Sequence, residues 1–251
     1  MKRFSYLRTL CFKVMSLNRG LPRRIGPGMF RLDESLRRWN CDFADSPRIF
    51  KFLQDRIHPG QVLFDIGANF GLYSLPLGSL AGSDGKVLAF EPLPANLALL
   101  KRNIALNPGL KIEVVPAAVS NSAAPFAEFY SDTTSSSVTA SLRSRSGQRT
   151  CRVANVRLDD FCAGRGLRPS FIKIDVEGAE MDVLHGARSL LETDHPLLLV
   201  EVHGFALPEF GQGVAALRQY LGCLDYTEER ISGDDNYFTS FFVHANQQNP
   251  S

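Results

Sequence analysis

The chain has 251 residues, 44% hydrophobic and 22% charged, with a net charge of +2. That size supports one buried core with a small extension, and no run of about eighteen apolar residues is present to form a membrane-spanning helix. The five cysteines (Cys11, Cys41, Cys151, Cys162, Cys223) are odd in number and show no C-x-x-C spacing, which fits a reducing, cytoplasmic setting and gives no zinc site.

Charge is unevenly spread along the chain. Residues 1–60 hold 13 Lys/Arg and 5 Asp/Glu, and the first 24 residues hold seven basic groups and no acid. A helix through Phe4, Leu7, Cys11 and Val14 would gather apolar groups on one side. Two readings fit it: a helix packed on the main domain with a solvated basic rim, or contact of residues 1–24 with an anionic membrane surface. The stretch lacks the continuous apolar segment of a secretory signal. The whole chain lacks the basicity and motifs of a nucleic-acid binder. Residues 1–45 therefore read as a basic helical extension ending in a Gly/Pro-rich bend (Gly20, Pro22, Gly26, Pro27, Gly28), and residues 46–251 as the main domain.

Ser46-Pro47 predicts a helix start, and Pro59-Gly60 its end. Strands follow over Val62–Ile66, Val87–Phe90 and Ile112–Val119, separated by a helix from about Phe70, which Pro76 should kink or delay, and a helix over Pro94–Leu106. Residues 131–148 carry Ser or Thr at ten of eighteen positions and read as a loop, either a connector or a substrate lid. Then come strands at Val153–Leu158, Phe171–Asp175 and Leu197–His203, helices at Gly178–Leu191 and Val214–Leu221, and a hairpin of Leu224–Arg230 with Tyr237–His244. Alternating strands and helices predict an α/β fold: a mostly parallel central sheet with helices on both faces, a C-terminal antiparallel hairpin, and ligand at the strands' carboxyl ends.

The turn Asp65-Ile66-Gly67-Ala68-Asn69-Phe70-Gly71 is answered by Glu91-Pro92, with Glu91 twenty residues after Gly71. A glycine turn followed by an acid at the next strand tip is the layout of a nucleotide site. A dinucleotide site would need G-x-G-x-x-G, but the frame from Gly67 has Asn69 and Leu72 at its second and third glycine positions. Asp65 would repel a pyrophosphate and suits an ammonium or sulfonium. These features point to S-adenosylmethionine over NAD. An NAD-dependent sugar oxidoreductase is the alternative from another class, and an inactive cofactor-binding relic is a third reading.

In the second half, Asp175 and His203 fall at strand tips, where ligands meet an open sheet. Lys173 and Glu201 read as a cross-strand ion pair in an apolar sheet. Asp175, Glu177, Glu201 and His203 offer oxygen and nitrogen donors, but their spacing calls for no metal.

D-I-G-A-N-F-G, A-F-E-P, V-R-L-D-D, F-I-K-I-D-V-E-G-A-E and V-E-V-H stand here in the order seen in FkbM-type S-adenosylmethionine-dependent methyltransferases, and the chain resembles that family over about Arg48–His203. The resemblance implies a Rossmann-like class I methyltransferase fold and methylation of a hydroxyl on a sugar, a glycan or glycolipid, or a natural product. It implies that Asp65, Gly67, Ala68, Asn69 and Gly71 hold the methionine end, that Glu91 holds the ribose, that Ala117 and Ala118 lie along the adenine, and that Pro92 also belongs to the cofactor site. His203 is the first candidate for the base, because an imidazole ordinarily titrates near neutral pH. Asp175 is the alternative base or the group that orients the substrate.

Overall fold

The computed structural model describes residues 19–39, 46–131, 140–141 and 149–247. The chain begins with an antiparallel hairpin, β1 (Leu21–Ile25) and β2 (Gly28–Leu32), and a 3-10 turn over Glu34–Arg38. The main domain continues with α1 (Ser46–Gln54), β3 (Val62–Ile66), α2 (Ser74–Ala81), β4 (Lys86–Phe90), α3 (Pro94–Ala105), β5 (Ile112–Val115) and β6 (Ala117–Val119). After these come β7 (Phe126–Ser131), β8 (Ala140–Ser141), β9 (Arg149–Val156), α4 (Leu158–Arg165), β10 (Phe171–Ile174), α5 (Glu180–Gly186), α6 (Arg188–Thr193) and β11 (Leu197–Val202). The chain closes with a 3-10 turn over Leu207–Phe210, then α7 (Val214–Gly222), β12 (Tyr226–Asp234) and β13 (Tyr237–His244).

The central sheet has seven strands in the order β12-β13-β11-β10-β3-β4-β5. The five from β11 to β5 run parallel, and the β12–β13 hairpin completes one edge antiparallel. The parallel strands are covered on both sides, which is why they read as unbroken apolar runs. Leu63, Val87, Phe171 and Leu199 pack with Phe50 and Phe241 in one layer. Phe64, Leu88, Ile172 and Leu198 pack with Leu184 and Leu217 in the other. Topology thus brings the carboxyl ends of β3, β4, β10 and β11 to one edge, the rim that carries the candidate site.

Several elements refine or depart from the sequence reading, each for a local reason. Residues 20–28 form the start of a hairpin rather than a bend: Gly26, at φ +55°, turns the chain so closely over Phe50 that a Cβ there would lie 2.2 Å from its ring. The hairpin contributes Ile25, Phe30 and Leu32 to the core layer of Phe50 and Phe241. Pro116 has no amide hydrogen and divides the expected Ile112–Val119 strand into β5 and β6, which join different sheets. The second sheet, β6-β9-β7-β8, draws on part of the Ser/Thr-rich segment; the rest of that segment lies outside the described residues. Pro76 delays α2 to Ser74 and sits in its first turn, where no helical hydrogen bond is lost. The expected Gly178–Leu191 helix is two short helices that meet at Ala187, and the tail hairpin turns at Asp235-Asn236 with a bulge between Arg230 and Ser232.

Two asparagines of α3 and its C-terminal turn stitch the β1–β2 hairpin down. Asn107 accepts from the Arg31 amide at 2.9 Å and donates to the Arg31 carbonyl at 2.7 Å. Asn103 accepts from the Asp33 amide at 2.8 Å and donates to the Phe70 carbonyl at 2.7 Å, so one buried amide ties the hairpin to the glycine turn. The expected basic helix lies outside the described residues. Among the described residues, no helix is long and apolar enough to cross a membrane.

Candidate active site

The turn after β3 is built from main-chain geometry. Gly67, at φ +76°, packs against the Asp175 carbonyl so closely that a Cβ would stand 1.9 Å from that oxygen. The Gly67 and Ala68 amides both donate to the Phe90 carbonyl, at 3.0 and 2.9 Å, locking the turn to the tip of β4. Asn69 also takes the left-handed conformation, at φ +51°, and its amide donates to Glu91 Oε2 at 2.8 Å. Gly71, at φ +93°, closes the turn against Leu100 of α3 and lines neither of the cavities described below.

Glu91 is nearly buried. Its other oxygen accepts from the Leu93 amide at 2.9 Å and from Asn96 Nδ2 at 3.3 Å. Burial pushes its carboxyl pKa up, against the pull of these donors. Asp65 sits behind the turn. It is fully buried, with Oδ2 accepting from Ser74 Oγ at 2.5 Å and Oδ1 3.6 Å from Lys173 Nζ. A direct contact between Asp65 and a ligand is therefore not part of this geometry; the carboxylate supports the turn from beneath.

One cavity runs from Glu91, Pro92 and Asn96 past Ala117, Ala118 and Val119 to Asp175 and Glu177. Its donor set fits S-adenosylmethionine. A carboxylate at one end can take ribose hydroxyls, small apolar residues leave room for a flat base, and carboxylates at the other end suit a cationic ligand. A second cavity opens on the other side of Gly67, Asn69 and Asp175. It is lined by Ala68 and by Trp39, Tyr73, Lys173, Glu201 and Tyr237.

The tips of β10 and β11 carry a cluster of charged side chains. His203 is buried, and its Nδ1 shares a 2.8 Å hydrogen bond with Glu180 Oε1, which also accepts from the Gly178 amide at 2.9 Å. His203 Nε2 faces Glu177 Oε2 at 3.4 Å and Asp175 Oδ1 at 4.0 Å. Burial alone would lower the imidazole pKa, but the Glu180 hydrogen bond and the charges of Glu180, Asp175 and Glu177 outweigh it and raise the value to about 9. This corrects the sequence argument for His203: it does not titrate near neutrality in this environment but holds its proton there. Asp175, Glu177 and His203 each bring one ligand atom within 4.8 Å of the others, so this cluster is also where a cation would find donors.

Lys173 does not form the expected pair with Glu201. Its register partners are Asp65 on β3 and Leu199 on β11, and its ammonium lies 3.1 Å from Asp175 Oδ2 and 3.2 Å from the Gly67 carbonyl. Those acids, with the charge of Glu201 farther off, raise its pKa despite complete burial. Glu201 instead accepts from the Tyr237 hydroxyl of β13.

A profile of the Methyltransferase FkbM domain matches residues 65–230, a span that contains the glycine turn, Glu91 and the charged tips of β10 and β11. The chain belongs to the FkbM methyltransferase family. It is 24% identical over 174 residues to the hexuronic acid methyltransferase AglP of Haloferax volcanii, covering 67% of this chain and 66% of that one. It is 30% identical over 155 residues to the methyltransferase sdnD of Sordaria araneosa, covering 49% of this chain and 59% of that one. The chain thus spans less than two thirds of the length of either relative. The fold superposes with a TM-score of 0.50 on the ribosomal protein L11 methylase of Lactobacillus delbrueckii subsp. bulgaricus, at 14% identity, over 86% of this chain and 84% of that one. The architecture is that of a class I methyltransferase and the cofactor is S-adenosylmethionine. Membership in this family sets the oxidoreductase alternative aside.

Sequence reasoning reached the strand-tip acids and His203 but missed four supporting groups: Ser74, Asn96, Glu180 as the partner of His203, and Tyr237. Asn96 stood in reach of the motif reading, two residues into the helix that Pro94 opens. Tyr237 carried no signal, because the antiparallel edge that brings it over the site is set by pairing rather than by local pattern.

Proposed function

We propose that this protein is an O-methyltransferase acting on a hydroxyl of a sugar, a glycan or glycolipid, or a natural product. The observation that carries this reading is the meeting of the cofactor cavity and the charged cluster at Asp175, which lines both cavities and faces His203. The hexuronic acid for which the Haloferax relative is named supports a sugar-type acceptor.

When bound, S-adenosylmethionine supplies an electrophilic methyl group on a positively charged sulfur. Glu91 holds the ribose hydroxyls, and the Gly67–Asn69 turn holds the methionine end, with Asp65 bracing that turn through Ser74 and Lys173. Ala117, Ala118 and Pro92 flank the base. Asp175 orients the acceptor hydroxyl, and His203 takes its proton at Nε2, since Nδ1 is committed to Glu180. His203 must first lose the proton that its carboxylate neighbours stabilise. The rate therefore rises with pH toward about 9, and a positive charge brought to the cluster lowers that value.

For location, the cysteine pattern supports the cytoplasm, and the basic start supports contact with an anionic membrane surface as the reading to test. The deciding experiment incubates the protein with isotope-labelled cofactor and a pool of glycans and extracts, then locates the labelled methyl by mass spectrometry and NMR. Label on carbon, nitrogen or a carboxylate, or no label above a His203→Ala control, overturns the proposal.

A further inference from the structure

We propose that the second cavity is the acceptor site and that it takes an uncharged, hydroxyl-rich ring such as a neutral pyranose in preference to an anionic one. This rests on the methyl-transfer reading above and adds the place and the charge of the acceptor. The cavity measures about 430 Å³, within the range of small-ligand pockets, and shares Gly67, Asn69 and Asp175 with the cofactor cavity, so anything in it stands beside the cofactor.

Its walls are aromatic and come from three separate parts of the chain. Trp39 follows the β1–β2 hairpin and meets Phe70 of the glycine turn edge-on at 4.9 Å; Tyr73 precedes α2; Tyr237 opens β13. Flat rings of this kind cover the C–H face of a sugar, and carboxylates such as Asp175 and Glu201 accept from its hydroxyls.

Charge then selects among sugars. Around Asp175 stand the carboxylates of Asp65, Glu177, Glu180 and Glu201, and the buried cations among them are Lys173 and His203. Neither cation is offered to a ligand. The Lys173 ammonium is shared by Asp65, Asp175 and the Gly67 carbonyl, and the His203 ring is enclosed by Glu180, Glu177 and Asp175. A carboxylate or phosphate on the acceptor would enter a net negative field with no free cation among these groups to meet it. The preferred acceptor therefore lacks the negative charge of the hexuronic acid named for the Haloferax relative.

Trp39 is the single tryptophan of the chain, so its emission reports on this cavity. In full-length protein saturated with S-adenosylhomocysteine, methyl α-glucopyranoside and methyl α-mannopyranoside should change that emission with saturable midpoints. Methyl α-glucuronide should need at least about tenfold more, a difference expected to shrink in high salt. Tyr237→Ala should raise the neutral-sugar midpoints about tenfold while calorimetry finds S-adenosylhomocysteine affinity within about threefold of the parent; Tyr237→Phe, which keeps the ring, should lie between the two. Three results overturn the proposal: glucuronide binding as tightly as the neutral sugars; no response to any of the three sugars in the cofactor-loaded protein; or a Tyr237→Ala loss that falls equally on S-adenosylhomocysteine, which would assign the cavity to the methionine end. Failure of the parent protein to bind S-adenosylhomocysteine at all overturns the methyl-transfer reading, and this proposal with it.

Discussion

The turn after β3 and the tips of β10 and β11 lie side by side on one rim but are held together differently. The turn is fixed by backbone: glycines in left-handed conformations, amides of Gly67 and Ala68 on Phe90, and amides of Asn69 and Leu93 on Glu91. The strand tips are fixed by side-chain charge, with Lys173 among Asp65 and Asp175, and His203 among Glu180, Glu177 and Asp175. A backbone cradle is complementary to shape and responds to pH only through the Glu91 carboxyl that its amides grip, whose pKa burial raises. A charge cluster is complementary to a developing charge and responds to pH. Cofactor binding and chemistry should therefore separate experimentally along this boundary.

The largest effect is expected on the charged side. His203→Ala should lower kcat by about 10²–10⁴-fold with little change in S-adenosylhomocysteine affinity, measured by single-turnover kinetics beside calorimetry. An equal loss in both would erase the boundary. On the backbone side, Glu91→Ala should weaken cofactor binding by about 1.5–3 kcal/mol, the usual size for hydrogen bonds to a charged group, and leave the pH dependence of the rate in place. An unchanged affinity would take the ribose contact away from Glu91.

A smaller effect is expected from the pH dependence of stability. His203 has its pKa raised from 6.5 to about 9, so the stability it contributes is complete below about pH 6.5 and is lost as pH climbs through about 9. Glu180→Gln removes the hydrogen-bonded charge beneath Nδ1 and should flatten that decline, and it should move the pH–rate profile toward lower pH. Urea unfolding at several pH values reads the first effect. A profile identical to the parent's would show that Glu180 does not set the state of His203. The smallest effect is expected from deleting residues 1–18: rates on soluble acceptors should stay near the parent's, while binding to anionic vesicles falls. Unchanged vesicle binding would end the membrane reading.

The backbone side was the more legible in sequence. Left-handed turns demand glycine or asparagine, and prolines end strands, so Gly67, Asn69, Gly71 and Pro92 announced themselves locally. Strand runs in a doubly covered parallel sheet are continuous and apolar, and those too were plain. The charged side was only half legible. Period two gives the face on which a side chain stands, not its neighbour across the sheet. Lys173 was expected opposite Glu201, but the register of β10 on β11 sets it across from Leu199, and on its other side β3 brings Asp65, distant in sequence. Glu180 opens a helix like many acids, and only the fold brings His203 onto it. The β1–β2 hairpin was missed because Gly26 and Pro27 are equally at home in a bend, and only Phe50 beneath the turn decides between them.

The stitching by Asn103 and Asn107 has a consequence for how the chain comes apart. Three hydrogen bonds from these two side chains, and the ion pair of Asp33 with Arg102 at 3.4 Å, attach the hairpin without relying on chain continuity. A protease cut between Trp39 and Ser46 would leave an amino-terminal fragment that stays docked through gel filtration, with Trp39 still against Phe70. The same fragment, supplied as a separate peptide, would be expected to restore cofactor binding to a protein lacking it, since the Asn103 amide that receives the hairpin also grips the carbonyl of the glycine turn.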